Sequence, residues 1–258
     1  MTEATQAKPS QAVLDAVALL EAFEQDTGEK TLAEIGRAAG VPKASALRHL
    51  KALALTGYVI HDPARKTYAL GPAILTLAER FIAQQPSVHA CRPVLAALAR
   101  ETGETAHYAV LQGRDVVYLD IAESPRRIRA YVSRGDRQPA HCMASGKAIL
   151  AHSHAAVVDA FVDAGLVRLT DRTITSGSAL RAELAAIRTR GYGLNLSEWM
   201  DDVGAAAAPI FSGSGQVVGA IGVAAPISRL NGANAEEVGG IVRACAARFT
   251  DMLAGRAA

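Results

Sequence analysis

The sequence predicts a two-part fold: a small, mostly helical N-terminal domain closed by a β-hairpin, then a larger α+β domain built on an antiparallel sheet. Three observations carry this. Helical periodicity dominates the start of the chain and gives way to one short extended pair near residue 58. From residue 105 onward, extended segments come in pairs across glycine turns, with helices between them. At 258 residues, the chain is long enough for two cores.

Composition sets the outer limits. Half the residues are apolar and 20% are charged, the balance of a globular chain. No apolar run approaches the roughly 20 residues that span a bilayer, so no membrane association is expected. The start, Met1 to Ser10, lacks the apolar core of a signal peptide. Cys91, Cys142 and Cys245 are odd in number and widely spaced, which fits a reducing, cytoplasmic setting. The net charge of +2 hides a strong asymmetry. Residues 1–34 carry two lysines against seven acidic residues, whereas residues 35–70 carry Arg37, Lys43, Arg48, Lys51, Arg65 and Lys66 against Asp62 alone. A basic block within a folded segment is the footprint of a polyanion partner, here double-stranded DNA, or else a solvated basic face.

The elements follow in order. Ser10 is placed to cap a first helix with Val13, Leu14, Val17 and Leu20 on one face. Thr31-Leu32-Ala33-Glu34 reads as a capping box opening a second helix, with Leu32, Ile35 and Ala39 inward and Gly40 as its left-handed stop. Pro42 starts a third helix through Leu55 that buries Leu47, Leu50 and Ala54 and turns Lys43, Ser45, Arg48 and His49 outward. Two short helices across a tight turn make a helix-turn-helix, its second member the reading helix. Tyr58–Ile60, a turn at Asp62-Pro63-Ala64, and Lys66–Leu70 form a wing with Arg65 and Lys66 near its tip. Short side chains at the start of the third helix, Ala44 and Ser45, would face base edges. Lys43, Arg48, Arg65 and Lys66, with His49 beside them, would hold phosphates.

A helix with Ile74, Leu77, Ala78 and Phe81 on one face links residues 72–86 to the rest. The expected domains are thus 1–71, a linker helix 72–86, and 87–258. In the last, a helix runs through Leu95 and Leu98, Thr105–Leu111 pairs with Asp115–Ile121, and Arg127–Val132 reads as a further strand. Helices are expected around Gly146–His152, His154–Ala164 and Ala179–Arg190. A second hairpin joins Ala205–Phe211 to Gln216–Ala224. A final helix carries Val238, Ile241, Cys245, Phe249 and Met252 as a stripe.

The run Thr31-Leu32-Ala33-Glu34-Ile35 … Gly40-Val41-Pro42-Lys43-Ala44-Ser45-Ala46-Leu47-Arg48-His49-Leu50 … Gly57-Tyr58-Val59 resembles the IclR family of bacterial regulators. The likeness continues through Pro139–Ala148, Gly191–Glu198 and Ala207–Ile210. It implies a winged helix-turn-helix joined to a GAF-like α+β domain that binds a small effector and oligomerises as a dimer or dimer of dimers. The function it implies is ligand-responsive transcription regulation, of a catabolic operon, without a cofactor. Members often have Ser-Thr where this chain has Ala44-Ser45, so operator contacts do not transfer. By resemblance the linker helix pairs with a second copy; docking on its own large domain is the other reading.

The family's cavity lies between a helix start and the sheet. On that pattern the backbone N–H groups of Ala144 and Ser145 would hold an anionic ligand end. Asn195, Ala205, Gly222 and Ala224 match lining positions, with Met143 and Trp199 nearby. Trp199 reads equally as ordinary packing, and Asn195 as a turn residue. Members that take small keto acids are more polar at these positions. Three of the four here are Ala or Gly, which implies few donors and an effector with an aromatic or apolar body and one carboxylate or amide end.

Signals of catalysis are weak. On a strand, His141 and Cys142 would point to opposite faces and could not form a nucleophile–base pair. Ser145-Gly146-Lys147 lacks the upstream glycine and following Ser/Thr of a phosphate loop. Met143–Gly146 lacks the glycine of a nucleophile elbow. No Cys/His spacing suits a metal. The competing readings are an amide or ester hydrolase using Cys142 or Ser145, and a sensing module acting through protein partners.

Overall fold

The computed structural model describes residues 9–24 and 28–255, so the polar start through residue 8 lies outside the described residues. The chain divides into two compact units, 1–84 and 85–258.

In the first unit, α1 (Gln11–Glu21) begins after Ser10, whose side chain makes no capping hydrogen bond. The stripe Val13, Leu14 and Val17 is exposed, and Leu19, Ala22 and Phe23 are buried instead. A helix apolar on more than one face has no unique inward side of its own; the helices packed against it choose. Next come β1 (Lys30–Thr31) and α2 (Leu32–Ala38). Here the capping box forms as expected: the Thr31 N–H donates to the Glu34 carboxylate at 2.7 Å, and the Glu34 N–H donates to the Thr31 hydroxyl at 3.4 Å. The Thr31 N–H holds Glu34 below the usual carboxylate range. Gly40, at φ +65°, ends the turn, and Pro42 precedes α3 (Lys43–Leu55). This helix buries Ala46 and Leu50, while Leu47 is exposed and Ala54 half-buried, so its inward face is turned from the expected one. The wing is β2 (Val59–Asp62) and β3 (Thr67–Leu70), and β1 pairs with β3 as an unexpected third strand. Following it, α4 (Ala73–Ala83) buries no residue and leaves Leu75, Leu77 and Phe81 exposed.

The second unit opens with α5 (Pro86–Thr102), then β4 (Thr105–Gln112), β5 (Asp115–Ala122) and β6 (Arg137–Pro139). Helices α6 (Ala144–Ala151), α7 (Ala155–Asp163) and α8 (Gly177–Arg190) follow. The chain ends with β7 (Gly193–Leu196), β8 (Val203–Phe211), β9 (Val217–Pro226) and α9 (Ala235–Leu253). Six strands make one antiparallel sheet in the order β6-β5-β4-β9-β8-β7. Residues 127–132 are not the strand expected. The edge beside β5 is occupied by β6, and the 127–132 segment is tied by side chains, with the Thr105 hydroxyl donating to the Ala130 carbonyl at 3.1 Å.

Alternation along β4 places the helices. Tyr108 meets Phe249 of α9 edge-on, with ring centroids 6.1 Å apart, while Ala109 packs among residues of α7 and α8 on the opposite face. On that second face, Ala205 and Ala207 of β8 lie against Ala144 and Ala148 of α6. Small residues on both sides let the helix approach the sheet closely. Gly146 is required for the same reason, since a Cβ there would lie 2.1 Å from the Ala140 carbonyl oxygen. In α9 the buried stripe is Val242, Cys245, Ala246 and Phe249; Met252 is exposed. Among the described residues, no helix is long and apolar enough to cross a membrane.

Candidate functional site

Two regions gather the residues singled out from the sequence. On the first unit, Lys43, Ala44 and Arg48 are exposed on α3 and Ser45 is half-buried at the helix start. His49 departs from its expected outward position. Its side chain is only 11% exposed, because it turns back over α1 and stands 3.7 Å from the Asp15 carboxylate. At the wing tip Lys66 is exposed and adopts a left-handed φ of 57°. Arg65 is exposed but ion-paired, to Asp62 at 2.7 Å and to Glu29 at 3.0 Å. The Asp62 carboxylate also accepts from the Ala64 and Arg65 N–H groups, which folds the wing tip and holds Asp62 below the usual carboxylate range.

The second region is a cavity in the larger unit, at the start of α6. It is narrow, with a cavity volume of about 20 Å³ open to a water-sized sphere. Met143, Ala144, Ser145, Trp199, Ala205 and Ala224 line it. Asn195 and Gly222 do not, each for a local reason. Asn195, fully buried on β7, turns its Oδ1 to accept the Glu198 N–H at 2.7 Å. At Gly222 the place a side chain would take is filled by His107, whose Nε2 would lie 2.8 Å from a Cβ there.

The walls also bring together His107, Tyr118, Ala130, Val132, Asp136 and Gln138, which sequence reasoning missed. The cavity is largely apolar, and its few polar groups come from β4, β5, the turn before β6 and β6 itself rather than from β8 and β9. A lone histidine in the apolar run Thr105-Ala106-His107-Tyr108-Ala109 was the available signal for one of them. His107 is buried, and its ring meets Tyr118 edge-on with centroids 5.0 Å apart. Burial pushes its pKa down to about 4, so the imidazole is neutral. Burial pushes the Tyr118 phenol up, although the Ser145 hydroxyl beside it opposes the shift. Among the described residues, neither His107 nitrogen has a hydrogen-bond partner, and the ring is buried. No side chain caps the start of α6, so its N–H groups at the cavity edge remain available. Outside, the mouth continues into a surface groove between Ile128–Tyr131 and Trp199–Met200.

Beneath the cavity lies an ion-pair network. Lys147 of α6, 1% exposed, is bonded to the Glu198 carboxylate and lies 3.6 Å from Glu183, which Arg190 binds at 2.6 Å. Burial pushes the Glu198 carboxyl up and Lys147 opposes that shift. Thus Lys147 ties the helix at the cavity edge to the turn that carries Trp199. Ser197, at φ 67°, makes that turn, and its hydroxyl donates to the Asp201 carbonyl at 2.7 Å.

His141 and Cys142 lie in a 3₁₀ turn, Ala140–Cys142, and not on a strand. They are separated in function all the same. His141 Nε2 contacts the Val167 carbonyl at 2.9 Å, and the Cys142 thiol donates to the Pro139 carbonyl while burial pushes it up to about 12. A thiol so placed is no nucleophile.

Residues 12–63 match the model of the IclR helix-turn-helix domain, and residues 80–250 that of the bacterial transcriptional regulator IclR C-terminal domain. The chain is 33% identical over 204 residues to the HTH-type transcriptional regulator BhcR of Paracoccus denitrificans, covering 79% of this chain and 73% of that one. It is 32% identical over 257 residues to the glycerol operon regulatory protein of Streptomyces griseus, covering 97% and 99%. The crystal structure of an IclR-type transcriptional regulator from Silicibacter sp. TM1040 superposes with a TM-score of 0.82 at 33% identity, covering 94% of this chain and 96% of that one.

Proposed function

The chain belongs to the IclR family of bacterial transcriptional regulators, a non-enzymatic family, and from that premise we propose that it controls a catabolic operon in response to a small organic effector with an aromatic or apolar body. The observation that carries the effector half is the cavity at the start of α6. Its walls are largely apolar, yet it holds the buried His107 ring, whose nitrogens no described residue satisfies. Unsatisfied buried donors and acceptors are costly unless a ligand completes them.

For DNA, α3 lies in the major groove with Ala44 and Ser45 at base edges, and Lys43, Arg48 and Lys66 on phosphates. Arg65 reaches a phosphate only by leaving Glu29 and Asp62; otherwise it steadies the wing. His49 supports α3 from within. The protein acts in the cytoplasm as a homodimer or a dimer of dimers, with half-sites one helical turn, about 34 Å, apart. The exposed Leu75, Leu77 and Phe81 of α4 support a second copy as the partner. The effector end that is negative meets the Ala144 and Ser145 N–H groups, and Ala205, Ala224, Met143 and Trp199 enclose its body. Entry requires Trp199 or Tyr131 to shift, since the cavity is narrow as it stands.

Footprinting on the DNA upstream of the gene, with and without aromatic acids and at fixed salt, tests this. A protected region whose occupancy moves 5- to 150-fold with ligand, a coupling of about 1–3 kcal/mol, is expected. Absence of protection at low salt defeats the reading.

A further inference from the structure

Within the cavity just proposed as the effector site, we infer that His107 reads a ligand group that meets the sheet, and that this group is neutral and both donates and accepts a hydrogen bond: a hydroxyl or a primary amide. The inference rests on the cavity reading and adds the ligand's second functional group.

His107 is 2% exposed, lines the cavity, and has no hydrogen-bond partner at either ring nitrogen. Its position is built into the sheet. Gly222, its cross-strand neighbour, leaves the room that the ring occupies, and any side chain there would meet Nε2. Tyr118 presents its ring edge-on, with an interplanar angle of 88°. Bounded on these sides, the imidazole is positioned by packing alone, with its polar atoms left over.

The chemistry of those atoms selects a partner. A neutral imidazole offers one N–H and one lone pair. Burial keeps it neutral at ordinary pH. A carboxylate could accept from the ring N–H, but no described Lys or Arg lines the cavity, so its charge would be buried there without a counter-ion. An ammonium only donates, and it would be desolvated without an anion. A methyl or bare ring edge answers neither nitrogen. A hydroxyl or a carboxamide can answer either one, whichever tautomer the ring holds. The opposite polarity holds at the start of α6. There the Ser145 hydroxyl, 1% exposed and beside the Tyr118 phenol, stands with uncapped backbone N–H groups that favour a negative oxygen. The helix start and the sheet wall therefore ask for different things: an acid at the helix, and a neutral polar group at the sheet.

A matched series of para-substituted benzoates tests this on the full chain: benzoate, 4-hydroxybenzoate, 4-carbamoylbenzoate and terephthalate. Trp199 is the only tryptophan in the chain and lines the cavity, so its emission reports binding at this place. The expected result is that 4-hydroxybenzoate or 4-carbamoylbenzoate binds about tenfold more tightly than benzoate and terephthalate, as one added hydrogen bond implies. His107→Phe should bring the favoured ligand down to benzoate's affinity while benzoate itself moves little, and His107→Gln should retain part of the preference. As a readout independent of substitution, the His107 ring-nitrogen resonances of the unmodified chain should shift with the favoured ligand and not with benzoate. Equal binding of all four acids, survival of the preference in His107→Phe, or ring resonances indifferent to ligand would overturn the inference and leave the cavity reading standing. Failure of every acid to perturb Trp199 would remove both. Ala224→Leu, which fills the cavity, should abolish all four signals; signals that persist would mean the acids bind elsewhere and would overturn the inference.

Discussion

Replacing Glu198 by Gln should destabilise the larger unit by about 3 kcal/mol, at the low end of the range for removing one partner of a buried ion pair. The size follows from what is left behind. Lys147 is 1% exposed and cannot reach water by a rotamer change. Its other carboxylate, Glu183, is 3.6 Å away and already bound to Arg190 at 2.6 Å, so it compensates the ammonium only in part. For a unit of this size, 3 kcal/mol lowers the melting temperature by about 6–12 °C. Trp199 follows Glu198 directly, and as the only tryptophan it reports this unit alone during guanidinium or thermal unfolding. The paired replacement Lys147→Met with Glu198→Leu removes both charges and should recover at least half of the loss. If Glu198→Gln stays within about 1 kcal/mol of the parent, or the double variant is no better than the single, then the buried ammonium does not depend on this carboxylate and the network is wrongly understood.

Other expectations follow from the same geometry. With its folded pKa lowered from 6.5 to about 4, His107 binds fewer protons in the folded chain than in the unfolded one. Stability is then lost as pH falls from 6.5 toward 4. Measured against His107→Gln, the parent should lose about 2 kcal/mol more between pH 7 and pH 5 in parallel denaturations, and identical pH profiles would contradict it. Gly146→Ala should fail to fold or lose about 1–3 kcal/mol by circular dichroism melting, because the new methyl meets the Ala140 carbonyl at 2.1 Å. In DNA binding, Lys43→Ala and Arg48→Ala should each reduce the slope of log affinity against log salt by about 0.9, read from titrations at several salt concentrations. Arg65→Ala should reduce it less, since its charge is already matched by Glu29 and Asp62.

Local signals were legible in proportion to how local their physics is. The capping box at Thr31 and Glu34, the left-handed Gly40 and the wing turn at Asp62 involve groups within a few residues of each other, so the sequence alone specifies them. Helix faces were legible only to within a rotation: α1 exposes Val13, Leu14 and Val17 and buries Leu19, because several of its faces are apolar. The segment 127–132 alternates like a strand but joins no sheet, and the β5 edge is taken at residues 115–117 by β6, which lies later in the chain.

The candidate site divides in the same way. Met143 to Ser145 were expected at the cavity through the resemblance to the IclR family, whose cavity lies at a helix start. His107, Tyr118, Asp136 and Gln138 were not, since they reach the cavity only through the register of β4, β5, β6 and β9. The sequence by itself determined most of the elements, the helix-turn-helix with its wing, and the family. The tertiary structure alone decided the cavity's polarity. Cross-strand register put the His107 ring where Gly222 has no side chain, and burial left its nitrogens neutral and unpaired.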